Sequence, residues 1–205
     1  MGFVGNGLIF EHLNMRDAYD MRSWGTHDTI LLSDYNFPYI NDEEIKQWFR
    51  FKTFNIRNRY FSVRDQEDRL VGYIGIKDRN FFKKSSFLGI VFDPDNINKG
   101  LGTKALEAFL TYYFNEMNMK VMYLEVAEFN ERAISVYRKL GFRATAYYLD
   151  MFADQSVDTS NPEFISNKSF FVIDGEKIYN YTYEMRLTKE TFLARDKELN
   201  QTDGI

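Results

Sequence analysis

Residues 85–103 read SSFLGIVFDPDNINKGLGT, and this stretch decides the fold. Its first eight residues are nearly continuous in apolar character, which is typical of a strand buried on both faces. Pro94 ends that strand, and Gly100 and Gly102 stand where an amphipathic helix begins. Two glycines at a helix start let the backbone approach an anion closely, and the unpaired amides and the helix dipole favour negative charge there. The pattern therefore predicts a phosphate or pyrophosphate site.

A strand–helix–strand–helix order extends this stretch toward the C-terminus. The helix carries an apolar stripe over 101–117, and 121–127 (VMYLEVA) is again typical of a strand. Asn130 can cap the next helix, and Gly141 stands where a helix-ending glycine belongs. Because such crossovers are right-handed, the strands at 85–92 and 121–127 are expected to be parallel neighbours with a ligand beyond their carboxyl ends.

Glycines at a helix start also occur in two kinds of nucleotide-binding loop. A dinucleotide-binding loop has a third glycine, for which position 105 offers Ala, and an acidic residue near the position of Glu125. A dinucleotide-binding loop is shorter than the segment here, in which Pro94 and six more residues separate the strand from the glycines. No Gly-Lys-Ser/Thr follows them, which excludes a P-loop. A tight turn without a ligand stays open on the glycines alone.

The remaining segments are mainly predicted strands, with helices after Asn14 and Asn41. With 44% hydrophobic and 18% aromatic residues, the 205-residue chain can build one α+β domain, expected over 1–187. A polar insertion at about 154–175, with a surface loop over 154–167, interrupts it, and a charged tail over 188–205 follows it. The predicted strands outside the central segment are 8–13, 60–65, 69–77, 144–152, 169–173 and 177–187.

The composition excludes several kinds of site. The chain contains no cysteine and only two histidines, so we expect neither thiolate chemistry nor a metal site. A net charge of −4 argues against a basic nucleic-acid-binding face. The N-terminus lacks a signal-peptide pattern, and the longest apolar run, 87–92, is far shorter than a membrane span. We therefore expect a soluble, cytoplasmic protein without nucleic-acid or membrane partners.

Residues 85–142 resemble the core of the GCN5-related N-acetyltransferases (GNAT), especially the branch that acetylates ribosomal-protein N-termini. That family carries Gln/Arg-x-x-Gly-x-Gly/Ala after a strand, and 97–102 reads INKGLG, with Ile97 in place of Gln or Arg. Its second signature is Asn-x-x-Ala-x-x-x-Tyr-x-x-x-Gly-Phe. The matching residues are Asn130, Ala133, Tyr137, Gly141 and Phe142.

The resemblance implies a mixed, mostly antiparallel and twisted sheet of about seven strands flanked by four helices. It also implies acetyl-CoA, bound where the parallel strands splay apart, with its pantetheine arm on 89–92 and its pyrophosphate on 97–103. Ile97 loses a side-chain contact to the pyrophosphate, for which Lys99 could supply positive charge. The implied cofactor residues are Gly89, Ile90, Val91, Phe92, Ile97, Asn98, Lys99, Gly100, Leu101, Gly102, Thr103, Asn130, Ala133 and Tyr137.

The same resemblance implies the proton transfers. An amide near Val91 would stabilise the oxyanion, and Tyr137, as a phenol of ordinary pKa, would protonate the leaving thiolate. Glu125, the only charged residue within 121–127, stands twelve positions before Tyr137, as the proposed base does in some family members. Glu125 could equally be a solvent-facing residue or a partner of a nearby cation. Asp93 and Glu128 are the next candidates for the base.

The implied activity is transfer of an acetyl group to a primary amine by direct attack in a ternary complex. The acceptor could be a small molecule, such as a polyamine or an amino sugar, or a protein N-terminus. Trp24, Tyr35 and Phe37 lie in the loop that lines the acceptor site in this family, although core packing would equally account for them. The alternative is a degenerate acyl-CoA-binding sensor or interaction module, which the loss at Ile97 suggests. Monomer and homodimer both stay open.

Overall fold

The computed structural model describes residues 2–202, and the side chains of residues 2–195. The chain forms two compact units: Met1–His27 with Tyr35–Lys120, and Asp28–Asp34 with Val121–Ile205. Residues 203–205 of the predicted tail lie outside the described part. Within that part, no helix combines the length and the apolar character that crossing a membrane requires.

The first unit is built on a meander of five strands, each antiparallel to the next. Helices α1 and α2 follow the second strand, and α3 follows the fifth. The bounds are β1 (Phe3–Gly5), β2 (Leu8–His12), α1 (Met15–Asp20), α2 (Asp42–Thr53), β3 (Arg59–Arg64), β4 (Leu70–Asn80), β5 (Ser85–Phe92) and α3 (Leu101–Asn115).

Local hydrogen bonds begin the first two helices where the sequence predicted. The Asn14 side chain accepts from the backbone N–H of Asp17, and the Asp17 carboxylate accepts in return from the N–H of Asn14. The Asn41 side chain accepts from Glu44 at 2.9 Å. Asp17 is fully buried and also receives the Arg64 guanidinium at 2.6 Å, so the start of α1 is tied to the sheet by an ion pair.

The hairpin of β1 and β2 was absent from the sequence-based assignment. Its two-residue turn is Asn6-Gly7, with φ of 51° and 76°, which is the turn chemistry that two-residue hairpins favour. The Phe3 ring lies between the rings of Phe10 and Tyr112, with centroids 4.2 and 4.1 Å away. The Asn-Gly pair was the available signal, but β1 itself is only three residues long.

The second unit places its longest strand, β9, between two others. It pairs antiparallel with β6 and with β7, and it also pairs with β8 through a hairpin that turns at Gly175, φ 60°. Of the two strands expected to be parallel neighbours, β5 belongs to the first unit and β6 to the second. The bounds are β6 (Val121–Ala127), α4 (Glu131–Lys139), β7 (Arg143–Met151), α5 (Pro162–Ser166), β8 (Phe171–Asp174), β9 (Lys177–Thr188) and α6 (Lys189–Thr202).

The insertion is partly buried, which corrects the predicted surface loop over 154–167. Phe164, on the short helix α5, is 3% exposed and packs in an apolar cluster that includes Leu31. The neighbouring Glu163 carboxylate accepts hydrogen bonds from the Thr29 hydroxyl and, at 3.2 Å, from the N–H of Ile30. The insertion therefore holds the 28–34 segment within the second unit.

The predicted tail also contains regular structure, since α6 begins directly after β9 and Phe192 is fully buried. Burial of this large aromatic side chain stabilises the helix. The described residues contain nine strands and six α-helices, against about seven strands and four helices expected, and β1 and α5 are absent from the sequence-based assignment. The domain bounds over 1–187 stay a prediction.

We expect Phe192→Ala to lower the free energy of unfolding by about 3–5 kcal/mol, because it leaves a cavity in place of a buried aromatic ring. Urea unfolding followed by circular dichroism measures this difference. Phe54→Ala is the matched control, since Phe54 is 92% exposed and its loss should leave stability nearly unchanged. Equal stability of the two variants would contradict a structural role for α6.

Candidate functional site

The two glycines form a turn that directs backbone N–H groups into open space. Asn98 and Gly100 both have left-handed backbone, with φ of 61° and 74°, and Gly100 is the N-terminal cap of α3. The Gly100 carbonyl accepts from the N–H of Lys104 at 3.1 Å, which begins the helix. The preceding amides of the first turn, over 101–103, have no partner within the helix and point out of its end.

The space in front of this turn is open. A Cβ built on Gly102 would meet only ring carbons of Phe92, at 3.8 Å, and a Cβ on Gly100 would meet nothing within 4 Å. An adjacent groove of about 520 Å³ is lined by residues of both charges, among them Lys99, Lys104, Asp65 and Glu67. The amides and the dipole of the 15-residue helix α3 favour an anion in front of the turn.

A buried carboxylate holds the turn between β5 and α3. Asp93 is 8% exposed and accepts hydrogen bonds from the backbone N–H of Gly25 at 3.0 Å and of Asp95 at 3.1 Å. It also accepts from the Asn96 side chain at 2.9 Å. These three hydrogen bonds satisfy the buried carboxylate and hold the turn in place. The role of Asp93 as a reserve base stays a prediction.

The backbone N–H groups of β5 alternate in direction, so only every second one faces β4. The N–H of Asp93 donates to the carbonyl of Val71 at 3.0 Å, and Val91 lies opposite Tyr73 in the same register. Hydrogen-bonded pairs alternate in antiparallel strands, so the amide of Val91 faces β4. The amides of Ile90 and Phe92 point the other way. The oxyanion donor expected near Val91 is therefore better assigned to one of its two neighbours.

Two of the three aromatic residues expected near the acceptor lie in one cluster. Trp24 and Phe37 pack with Trp48 and Tyr73, and Val91 borders the same cluster. The Trp24 ring stacks on Tyr73 at 6.3 Å, and its Nε1 donates to the carbonyl of Leu70 at 3.3 Å.

Tyr35 and Gly89 have different surroundings. The Tyr35 ring lies against His27 at 6.5 Å. Gly89 leaves room for Tyr60, since a Cβ there would come within 2.9 Å of the Tyr60 ring. Gly89 is therefore required by the packing of this tyrosine, whatever its relation to the cofactor.

In the second unit, Asn130 caps α4, as the sequence predicted. Its side-chain oxygen accepts from the N–H of Ala133 at 3.2 Å, which leaves the two amide hydrogens of Nδ2 for other partners. Tyr137 follows two helical turns later and is half-buried, with its ring 5.8 Å from that of Phe142. Asn130 and Tyr137 are thus carried on one helix face.

The carboxylates of the second unit have different partners. Glu125 is exposed and accepts a hydrogen bond from the Tyr148 hydroxyl at 2.9 Å. Burial and this carboxylate raise the pKa of the Tyr148 phenol. Glu128 accepts from two hydroxyls, those of Tyr147 at 2.8 Å and Tyr183 at 3.0 Å. The role of either carboxylate as the base stays a prediction.

Tyr148 is a site neighbour that sequence reasoning missed. It stands 23 residues after Glu125, on another strand, so no local pattern joins the two. In the described part of the chain, no group of three or more histidine, aspartate and glutamate side chains is placed to hold a metal ion.

These features define a class of protein. The model of the family described as "Acetyltransferase (GNAT) domain" matches residues 8–143, so the chain belongs to the GNAT acetyltransferases. The predicted α+β fold, the dependence on acetyl-CoA and the N-acetyltransferase activity toward a primary amine are thereby confirmed.

Two relatives of this chain carry the name of a particular enzyme. The chain is 35% identical to a spermidine N(1)-acetyltransferase of Escherichia coli (strain K12) over 135 residues, 66% of this chain and 67% of that protein. It is 25% identical to the spermidine N(1)-acetyltransferase of Vibrio cholerae over 149 residues, 73% of this chain and 86% of that protein. The resemblance to the ribosomal-protein branch stays a prediction.

A solved structure shares the fold. The spermidine N-acetyltransferase of Vibrio cholerae in complex with CoA and spermine aligns with a TM-score of 0.67 at 20% identity. The alignment covers 91% of this chain and 98% of that one.

We expect Gly102→Val and Gly102→Asp to fold normally but to lose most of their affinity for CoA. The new side chain would enter the space of the pyrophosphate, and the aspartate would add repulsion between like charges. Isothermal titration with CoA measures the effect. Thr111→Asp is the control, because it adds the same charge at an exposed position of α3. Unchanged affinity in a folded Gly102 variant would place the phosphate site elsewhere.

Proposed function

We propose that the chain transfers the acetyl group of acetyl-CoA directly to a primary amine of a small, flexible alkylamine of the polyamine type. The observation that carries this proposal is the similarity to two enzymes named spermidine N(1)-acetyltransferase, one of them 35% identical. The aromatic cluster around Trp24 and Tyr73 supports it, because such rings suit an aliphatic cation.

Backbone groups of the first unit would hold the acetyl donor. Acetyl-CoA, when bound, supplies an acetyl group activated as a thioester. The amides over 101–103 bind its pyrophosphate, with Lys99 beside them, so the side chain missing at Ile97 is not essential. An outward amide of β5, at Ile90 or Phe92, donates to the carbonyl oxygen and stabilises the negative charge that develops there.

Two side chains of the second unit would move the protons. Glu125, directly or through one water, takes a proton from the acceptor ammonium, which frees the lone pair of the amine for attack. As the new C–N bond forms and the C–S bond breaks, the Tyr137 hydroxyl gives its proton to the departing sulfur. Tyr148 stabilises the carboxylate of Glu125 through its hydrogen bond and orients it.

A second candidate function is acyl-CoA binding without turnover, in a sensor or an interaction module. Ile97 is the observation that favours it, since the family's polar residue is missing there. The anion-binding turn and the Tyr137 hydroxyl argue for a working enzyme.

An acceptor screen separates these functions. We expect free thiol to be released from acetyl-CoA with spermidine, spermine and simple diamines, and far more slowly with amino sugars or N-terminal peptides. Thiol release is followed with a chromogenic disulfide, and the products by mass spectrometry. CoA binding without thiol release from any amine would instead favour the module, and preference for peptides would favour a protein N-terminus.

We expect Tyr137→Phe to keep CoA affinity, because the ring still packs, but to lower kcat by roughly 10²–10⁴-fold through loss of the proton donor. Steady-state kinetics and CoA titration measure the two effects. Tyr179→Phe is a matched control on β9. A fall in thermal stability with unchanged kcat would show that Tyr137 has only a packing function.

We expect Glu125→Gln to reduce turnover mainly below the pKa of the acceptor amine. Raising the pH should partly restore the rate, because more of the amine is then already neutral. Glu176→Gln is the control, since Glu176 is an exposed carboxylate in the turn between β8 and β9. Full activity of Glu125→Gln at neutral pH would assign the base to another group.

A further inference from the structure

The last turn of α2 places an ammonium group among three aromatic rings. Lys52 is half-buried, and its Nζ lies 5.9 Å from the ring centroid of Trp48, 5.4 Å from that of Tyr60 and 5.6 Å from that of Tyr73. A cation within about 6 Å of a ring face is attracted by the ring quadrupole. Three such rings around one ammonium form an aromatic cage, defined here as Trp48, Tyr60 and Tyr73.

The cage holds this cation without an ion pair. Among the described residues, no carboxylate lies within salt-bridge distance of Lys52, although α2 carries acidic residues in its first turn. Burial and the nearby charge of Lys77 both lower the pKa of Lys52. An exchange of this cation for another of similar shape would therefore break no salt bridge.

The cage is continuous with the residues expected to receive the acceptor. Its Trp48 ring packs edge-on against Phe37 at 5.2 Å, and its Tyr73 ring stacks on Trp24 at 6.3 Å. Val91, on the strand expected to hold the thioester, borders the same cluster. A molecule bound in the cage would thus lie beside β5.

We propose that the cage is a binding site for an alkylammonium group of the acceptor, and that Lys52 occupies it until the acceptor arrives. This inference rests on the proposed alkylamine acceptor. A lysine side chain is an aminobutyl group, the same chemical unit that ends a polyamine, so one cage fits both. Lys52 is then an internal competitor that must leave before the acceptor binds.

Competition of this kind has a measurable consequence. The apparent association constant for the acceptor is the intrinsic constant multiplied by the fraction of molecules in which Lys52 has left the cage. Removing the Lys52 ammonium while keeping an unbranched side chain should therefore tighten alkylammonium binding, by about 5–10-fold for a cation–π contact of ordinary strength. Uncharged molecules of the same length should gain nothing comparable.

The two tryptophans of the chain, Trp24 and Trp48, both belong to this cluster, so intrinsic fluorescence reports on it directly. The experiment titrates the full chain with butylammonium, with spermidine and with 1-butanol as the uncharged probe. We expect Lys52→Met to bind both cations about 5–10-fold more tightly than the unaltered chain. Lys46→Met is the control, because Lys46 lies on the same helix and is paired with Glu43 outside the cage.

Lys52→Gln provides a second variant in case Lys52→Met fails to fold, with the same expected direction. Equal cation affinities in the unaltered chain and in a folded Lys52 variant would overturn the proposal, as would an equal gain for 1-butanol. The readout needs no turnover. If Lys52→Met binds cations more tightly but the chain acetylates no alkylamine, the cage is supported and the proposed function is refuted. If the chain acetylates spermidine but Lys52→Met leaves the cation affinities unchanged, the proposed function is supported and the cage is refuted.

Discussion

The buried carboxylate of Asp93 connects two loops of the first unit that carry predicted site residues. One of its hydrogen bonds goes to the N–H of Gly25, in the loop that carries the aromatic residues, and another to Asp95, on the path to the glycine turn. A buried carboxylate needs hydrogen-bond partners, so separation of the two segments would remove a donor from Asp93. The segment that leads to the glycine turn and the loop that carries Trp24 are thus both hydrogen-bonded to Asp93.

Sequence reasoning succeeded where a single short segment contains both partners of an interaction. The caps at Asn41 and Asn130, and the left-handed Gly141 at φ 98°, depend on hydrogen bonds and backbone angles within a few residues. It failed where burial depends on distant partners. Phe164 and Phe192 stand in polar surroundings in the sequence, and only packing against remote apolar residues accounts for their burial.

The same limit applies to the site. The glycine turn and the capping position of Asn130 follow from local patterns, and the structure places them as expected. The amide facing outward from β5 depends on the pairing register with β4, which the sequence does not encode locally. Lys52 could be placed four residues after Trp48, on one face of α2, but the other two rings of its cage come from separate strands. Sequence spacing therefore identifies the residues expected to bind acetyl-CoA better than those expected to bind the acceptor amine.

The chain passes between its two units three times, because residues 28–34 belong to the second unit while both flanking segments belong to the first. A fragment that ends at Lys120 would carry this short excursion without its cluster, leaving Ile30 and Leu31 in water and Thr29 without the Glu163 carboxylate. Truncation at the most obvious boundary therefore yields a piece with an apolar patch and a tendency to aggregate. A fragment of this protein has to contain both the 28–34 segment and the insertion.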